Sequence, residues 1–166
     1  LEESNPNGWV PYLPGSRWFR GGQVPLYLAD SGKADRRFIW VSERNGYRNA
    51  YLYDLSGRLL NAITQNPFDL HALLGVDPHG RLWYSAHDGK YPAMQEVHRV
   101  SLGGSGDTCV TDPSLNHEVA VSPTGDHFVD VAEALDKLPS TRLWDASGAI
   151  VSTLAASNDR RAQELG

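Results

Sequence analysis

The feature that most constrains this chain is an internal repeat. The segment Gly75-Val-Asp-Pro-His-Gly-Arg-Leu-Trp-Tyr84 returns as Ala120-Val-Ser-Pro-Thr-Gly-Asp-His-Phe-Val129, so Pro78 and Pro123, Gly80 and Gly125, and Trp83 and Phe128 are each 45 residues apart. A second element, Ala50-Tyr-Leu-Tyr-Asp-Leu-Ser-Gly57, returns as Val97-His-Arg-Val-Ser-Leu-Gly-Gly104 and as Thr141-Arg-Leu-Trp-Asp-Ala-Ser-Gly148, at spacings of 47 and 44. Three units are visible. Self-similarity at such a period means that each unit is one supersecondary element, able to bury its apolar faces only against its neighbours.

Within a unit the pattern is strand and turn. Phe38–Ser42, Leu82–Ala86 and His127–Val131 are short runs of aromatic and β-branched residues bounded by turn formers, as half-buried strands are. Asp77-Pro-His-Gly80 and Ser122-Pro-Thr-Gly125 put Pro where a preset φ suits a tight turn and Gly where a positive φ is needed. Leu55-Ser-Gly57 and Ala146-Ser-Gly148 predict further hairpins, leading to Leu59–Thr64 and Ala149–Leu154. Four strands in about 45 residues is the signature of a β-propeller blade. The expected fold is therefore all-β: about three four-stranded antiparallel blades after a partial strand region. Residues 1–155 are assigned to the blades and the polar stretch 156–166 to a linker. Propellers close with about four to eight blades, and 166 residues supply fewer. The expectation is a partial propeller belonging to a longer polypeptide, rather than an open array.

Charge and motif content narrow the function. With 15 Lys and Arg against 20 Asp and Glu, the net charge of -5 provides no basic face for a phosphate backbone, so nucleic acid is not an expected partner. No uncharged run reaches the 18 residues of a membrane span, and Leu1-Glu-Glu-Ser-Asn-Pro6 lacks the basic and apolar regions of a signal peptide. A single cysteine, Cys109, excludes an internal disulfide framework and a CxxC zinc site.

The G-x-S-x-G elbow of serine hydrolases is absent, and Gly103-Gly-Ser-Gly-Asp107 reads as a flexible turn. His117-Glu118 opens like HExxH, but Val121 stands where the second His belongs and no helix is expected. His71, His79, His87, His98 and His127 show no ligand spacing and read as solvated or singly bonded. Asp54 and Asp145 precede turns, where carboxylates cap backbone amides. Trp40, Trp83 and Trp144 fall at or near strand positions, where packing between blades is favoured over a carbohydrate platform. No catalytic residue, cofactor or metal is expected in this chain.

The run Phe38-Ile-Trp-Val-Ser-Glu-Arg-Asn-Gly-Tyr-Arg-Asn-Ala-Tyr-Leu-Tyr-Asp-Leu-Ser-Gly57 resembles the F-x-W-x-S-E-R-x-G-x-x-x-L-Y-L-Y-D pattern of the N-terminal β-propeller of dipeptidyl peptidase IV-like serine peptidases, in the prolyl oligopeptidase family. Leu74–Asp77, Val97–Val100, Val121–Gly125, Phe128–Asp130, Leu135–Pro139 and Thr141–Leu143 follow in that family's order, and Glu3–Val10 is similar to its preceding segment. The resemblance implies the last blades of an eight-bladed propeller, ahead of an α/β-hydrolase domain in the same polypeptide that carries the catalytic Ser, Asp and His. It further implies peptide substrates, a possible homodimer and a periplasmic or secreted location. Glu2-Glu3 do not match the family's substrate-gripping glutamates. Phe19 and Arg20 are the candidate counterparts of an aromatic-Arg pair that some members set against the substrate.

By this resemblance the chain gates access to a hydrolase site and positions peptides there, leaving the bond chemistry to the other domain. Two other readings stand beside it. One is a freestanding protein-binding propeller or scaffold. The other is a sialidase-like propeller suggested by Asp77-Pro-His-Gly-Arg-Leu-Trp83, although Ser122–Phe128 lacks that motif's Asp and Trp.

Overall fold

One kind of turn recurs six times in the computed structural model, which describes residues 26–27, 37–87 and 94–157. Glu43, Asp54, Asp77, Ser101, Ser122 and Asp145 each open a hairpin whose fourth residue is a glycine at positive φ. In each, the glycine N–H donates to the carbonyl of the opening residue at 2.8–3.1 Å. A left-handed residue at that position lets a tight turn rejoin a twisted antiparallel ladder. Side chains complete the three Asp turns: Asp54, Asp77 and Asp145 accept bonds of 2.8–3.0 Å from the N–H groups two and four residues on. Asp54 and Asp145 thus cap turns as expected. The Ser56 hydroxyl and the Arg58 amide hold the Asp54 carboxyl at a pKa of about 2.

These hairpins join twelve strands: β1 (Leu26–Tyr27), β2 (Arg37–Ser42), β3 (Asn49–Asp54), β4 (Leu59–Ala62), β5 (Leu70–Val76), β6 (Arg81–Ala86), β7 (Glu96–Ser101), β8 (Thr108–Cys109), β9 (Asn116–Val121), β10 (His127–Ala134), β11 (Lys137–Asp145) and β12 (Ile150–Ala156). They pair antiparallel in three four-stranded sheets, β1–β4, β5–β8 and β9–β12, each in sequence order. This is the blade arrangement that the repeat predicts. The third sheet reaches further than the sequence suggests. A register shift between Ala132 and Ala134 carries β10 on to pair Ala134 with Lys137, and Pro139, which has no N–H to give the ladder, sits in β11 opposite that irregularity.

Alternation along the strands distributes the core. Ile39 and Val41 of β2, Leu52 of β3, Leu82 and Tyr84 of β6 and Val100 of β7 form one buried cluster between the first and second sheets. Trp83, on the opposite face of β6, joins Phe128 of β10 and Trp144 of β11 between the second and third. The ring centroids of Trp83 and Phe128 are 5.7 Å apart, and Phe128 stacks on Trp144 at 6.0 Å and 2°. Residues that are equivalent in the repeat therefore touch. Trp40 packs against Phe38, Tyr51 and Tyr53 on the other face of the first sheet.

The second and third sheets meet most closely at two of the hairpins. A Cβ placed on Gly125 (φ +70) would stand 2.5 Å from Asp77 Cβ and 2.7 Å from its Oδ2, whereas one on Gly148 (φ +88) would meet nothing within 4 Å. Gly148→Ala is expected to cost only the left-handed backbone penalty, about 1–2 kcal/mol. Gly125→Ala adds an overpacking cost of about 1–3 kcal/mol. Urea midpoints of the two variants compare them, and equal losses would mean that the hairpins do not meet as described.

Candidate functional site

Between the second and third sheets an open cleft of about 790 Å³ is lined by His71, Leu73 and Leu74 of β5, Val97 of β7, and His117 and Val119 of β9. Its walls are the first strands of two adjacent blades. Alternation turns Leu74 and Val119 toward the aromatic cluster at Trp83 and Phe128 and places His117 among residues that are almost fully buried.

His117 is the most constrained polar group of the cleft. Its Nδ1 lies 2.9 and 3.0 Å from the two carboxylate oxygens of Asp130, and its Nε2 lies 2.8 Å from the carbonyl of Asp112. Asp130 and Asp112 both present oxygens to the ring, so a doubly protonated ring satisfies both contacts. Burial alone would lower its pKa, but the bonds to Asp130 and Asp112 outweigh it and the net direction is upward. A ring committed on both sides cannot take a proton from a nucleophile. At the other end of the cleft, His71 meets His87 edge-on with centroids 5.4 Å apart. Burial, then the neighbouring His87 and Arg48 charges, lower its pKa and keep it neutral at pH 7. Walls that mix Leu and Val side chains with Gln95, Asn116 and Glu118, around a His117 ring committed on both nitrogens, suit binding rather than bond chemistry.

The sequence candidates fare unequally. Phe19 and Arg20, like Glu2 and Glu3, lie outside the described residues. Gly103–Asp107 is a turn, with Gly104 and Gly106 at positive φ, but it ends in a group with a definite place. Asp107 Oδ2 accepts the Tyr84 hydroxyl, while its Oδ1 lies 3.4 Å from His98 Nδ1. Burial works to raise the Asp107 pKa, and the bonds from His98 and Tyr84 bring it down overall. Burial and the adjacent Asp107 push Tyr84 upward.

His98 fits the reading of a singly bonded histidine, facing Asp107 through Nδ1 alone, while His117 lay outside that reading. His117 makes bonds from both nitrogens, and His98, 7% exposed, stacks on Tyr84 at 5.1 Å. Their partners come from other strands and the intervening loops, which spacing along the chain does not reveal. A usable signal was present: Asp130 alternates with Phe128 and Ala132 on the inward side of β10 and therefore required a buried partner.

The Ser42-Glu-Arg44 motif has a structural role. Ser42 Oγ accepts from the Arg44 N–H and Nε at 3.3 and 3.1 Å, and the guanidinium lies 4.2 Å over the Tyr51 ring and bonds the Tyr53 hydroxyl. Asn49, fully buried, accepts from the Thr64 hydroxyl and the Asn66 N–H at 2.8 Å each. The motif fastens the β2–β3 hairpin and the connection beyond β4.

The family model of the dipeptidyl peptidase IV (DPP IV) N-terminal region matches residues 4–138. Among solved structures, the fold is similar to that of Porphyromonas gingivalis dipeptidyl peptidase 4 with a TM-score of 0.72 at 20% identity, covering 84% of this chain and 19% of that one. It is also similar to a Bacteroides ovatus protein described as a dipeptidyl aminopeptidase IV, with a TM-score of 0.67 at 14% identity over 81% of this chain and 22% of that one. The chain thus spans about a fifth of the length of these two proteins.

The His117 pair carries a pH dependence of known sign. With the folded pKa raised above the ordinary 6.5, its stabilisation is complete below that pH and is lost as pH rises through the folded value. The urea midpoint of the natural chain is expected to fall across that window, and that of His117→Gln to be lower and flatter. Parallel curves would contradict the assignment.

Proposed function

The chain belongs to the dipeptidyl peptidase IV N-terminal region family, and from that premise we propose that it is the non-catalytic propeller portion of a dipeptidyl peptidase IV-like serine exopeptidase. The observation that carries the reading is the match over residues 4–138, which takes in the first two sheets and the first half of the third. The commitment of His117 on both nitrogens supports a role without bond chemistry. In this reading the nucleophile, its base and its orienting carboxylate belong to an α/β-hydrolase domain of the same polypeptide, reached through residues 156–166.

The blades act by exclusion and positioning. A rigid β wall over a hydrolase site admits short or unfolded peptides and turns away folded proteins. Fixing the amino terminus of a peptide sets how many residues precede the bond that is cut. Phe19 and Arg20 stand against the bound peptide, a homodimer is compatible with the arrangement, and the enzyme works in the periplasm or outside the cell. Among the described residues no helix is long and apolar enough to cross a membrane.

An antibody to this segment, combined with a fluorophosphonate serine-hydrolase probe on extracts of the native source, tests the reading. The recognised band is expected to be several times longer than 166 residues and labelled, while the isolated chain neither labels nor cleaves a dipeptidyl substrate. An unlabelled band near 18.3 kDa would instead make the chain a freestanding binding module. In the full polypeptide, Phe19→Ala and Arg20→Ala are expected to raise KM with kcat nearly unchanged. Unaltered KM in both would remove these residues from the substrate site.

A further inference from the structure

Three Lewis-basic groups converge on the second sheet, away from the cleft. Glu96 and His98 alternate along β7 and so share a face, and Cys109 of β8 stands directly opposite His98 in the ladder. One donor atom from each lies within 4.8 Å of the other two. Glu96 is 1% exposed and His98 7%, while Cys109 is exposed. The cluster is therefore walled by the sheet on one side and open to solvent on the other.

His98 sets its chemistry. The ring is held by stacking on Tyr84 and by contact with Phe68 at 5.7 Å, and its Nδ1 faces Asp107 Oδ1 at 3.4 Å. With the proton on Nδ1, toward that carboxylate, Nε2 presents a lone pair. That atom is buried, makes no hydrogen bond and lies 3.8 Å from Glu96 Oε2. A buried imidazole nitrogen that meets no hydrogen-bond donor is a position a metal ion can take. His117 shows the contrast, because acceptors at 2.8–3.0 Å close both of its nitrogens. Nitrogen and oxygen donors about 2.0–2.2 Å from a tetrahedral ion stand roughly 3.3–3.6 Å from one another, and the His98–Glu96 pair at 3.8 Å needs only a small inward shift to ligate one ion.

We propose that Glu96, His98 and Cys109 form a three-donor site for a divalent cation of the zinc class, with Asp107 orienting His98 and a fourth position open to solvent. Nitrogen, oxygen and sulfur donors together select zinc or cobalt over magnesium or calcium. Asp107 completes the carboxylate–histidine–metal arrangement that fixes ring orientation in such sites. The Cys109 thiol, which donates to the Thr111 carbonyl at 3.3 Å, exchanges its proton for the ion: the S–H bond breaks, a sulfur–metal bond forms, and one proton leaves to solvent. Bound there, the ion clips the two-residue strand β8 to β7.

The test uses the full polypeptide that contains this chain, stripped with a chelator and then titrated with zinc by calorimetry and with cobalt by absorption. The natural sequence is expected to bind one more equivalent of zinc than a His98→Gln/Cys109→Ser variant. It should release about one proton per ion and give a thiolate-to-cobalt charge-transfer band that Cys109→Ser alone abolishes. Asp107→Asn is expected to weaken zinc binding by about 10–100-fold. Near-ultraviolet circular dichroism matching the natural protein checks that the variants fold, and Cys109→Ser, at an exposed position, is the least disruptive of them. Equal zinc stoichiometry in natural and variant proteins, or a cobalt band that persists in Cys109→Ser, would overturn the proposal. So would an imidazole carrying protons on both nitrogens in the presence of excess zinc, since a proton would then occupy the place assigned to the ion.

Discussion

The carboxylate of Asp77 is the group on which the middle of this structure depends. Its side chain is 1% exposed, and a buried carboxylate is tolerated only when its lone pairs are met. Oδ1 accepts the His79 and Arg81 N–H groups, and Oδ2 accepts Arg81 Nε at 2.7 Å and the Trp83 indole N–H at 3.0 Å. Burial pushes its pKa up, yet the bonds from Trp83 and Arg81 carry it below the ordinary carboxylate value. One side chain thus shapes the β5–β6 hairpin and aims Trp83 at the third sheet. The Arg99 guanidinium lies 5.3 Å over that same indole and donates to the Ala146 carbonyl of the third sheet. The aromatic contact between the two sheets thus centres on a ring whose orientation a carboxylate sets.

Much of this was readable from the sequence, for a physical reason. A repeat places equivalent residues on equivalent strands, so the 45-residue offset marked Trp83 and Phe128 as equivalent strand positions, and the expectation that Trp83 packs between blades holds. The hairpin glycines could be identified because a left-handed position tolerates few other residues. What stayed hidden were contacts made by polar side chains across different strands and loops. His117 and Asp130 are thirteen positions apart, and nothing in their spacing says that the antiparallel pairing of β9 with β10 brings them together. Glu96 and His98 fall in an ordinary alternating strand, and Cys109 reads as a lone thiol until β8 is laid beside β7.

The motif that carried the resemblance has its own lesson. Ser42, Arg44 and Asn49 serve the β2–β3 hairpin and the connection beyond it, through a guanidinium on two tyrosines and an amide bonded on both of its ends. A family pattern can therefore mark how a blade is built without marking where a ligand binds.

The position of β6 bears on how the chain opens. From Leu82 to Ala86 every residue of that strand is buried, whereas every residue of β12 is exposed. Opening free energies within a native protein follow local burial and contact, so amide protection in the isolated chain is high in β3 and β6 and low in β12. In the isolated chain the amides of the last hairpin exchange long before those of the buried strands β3 and β6.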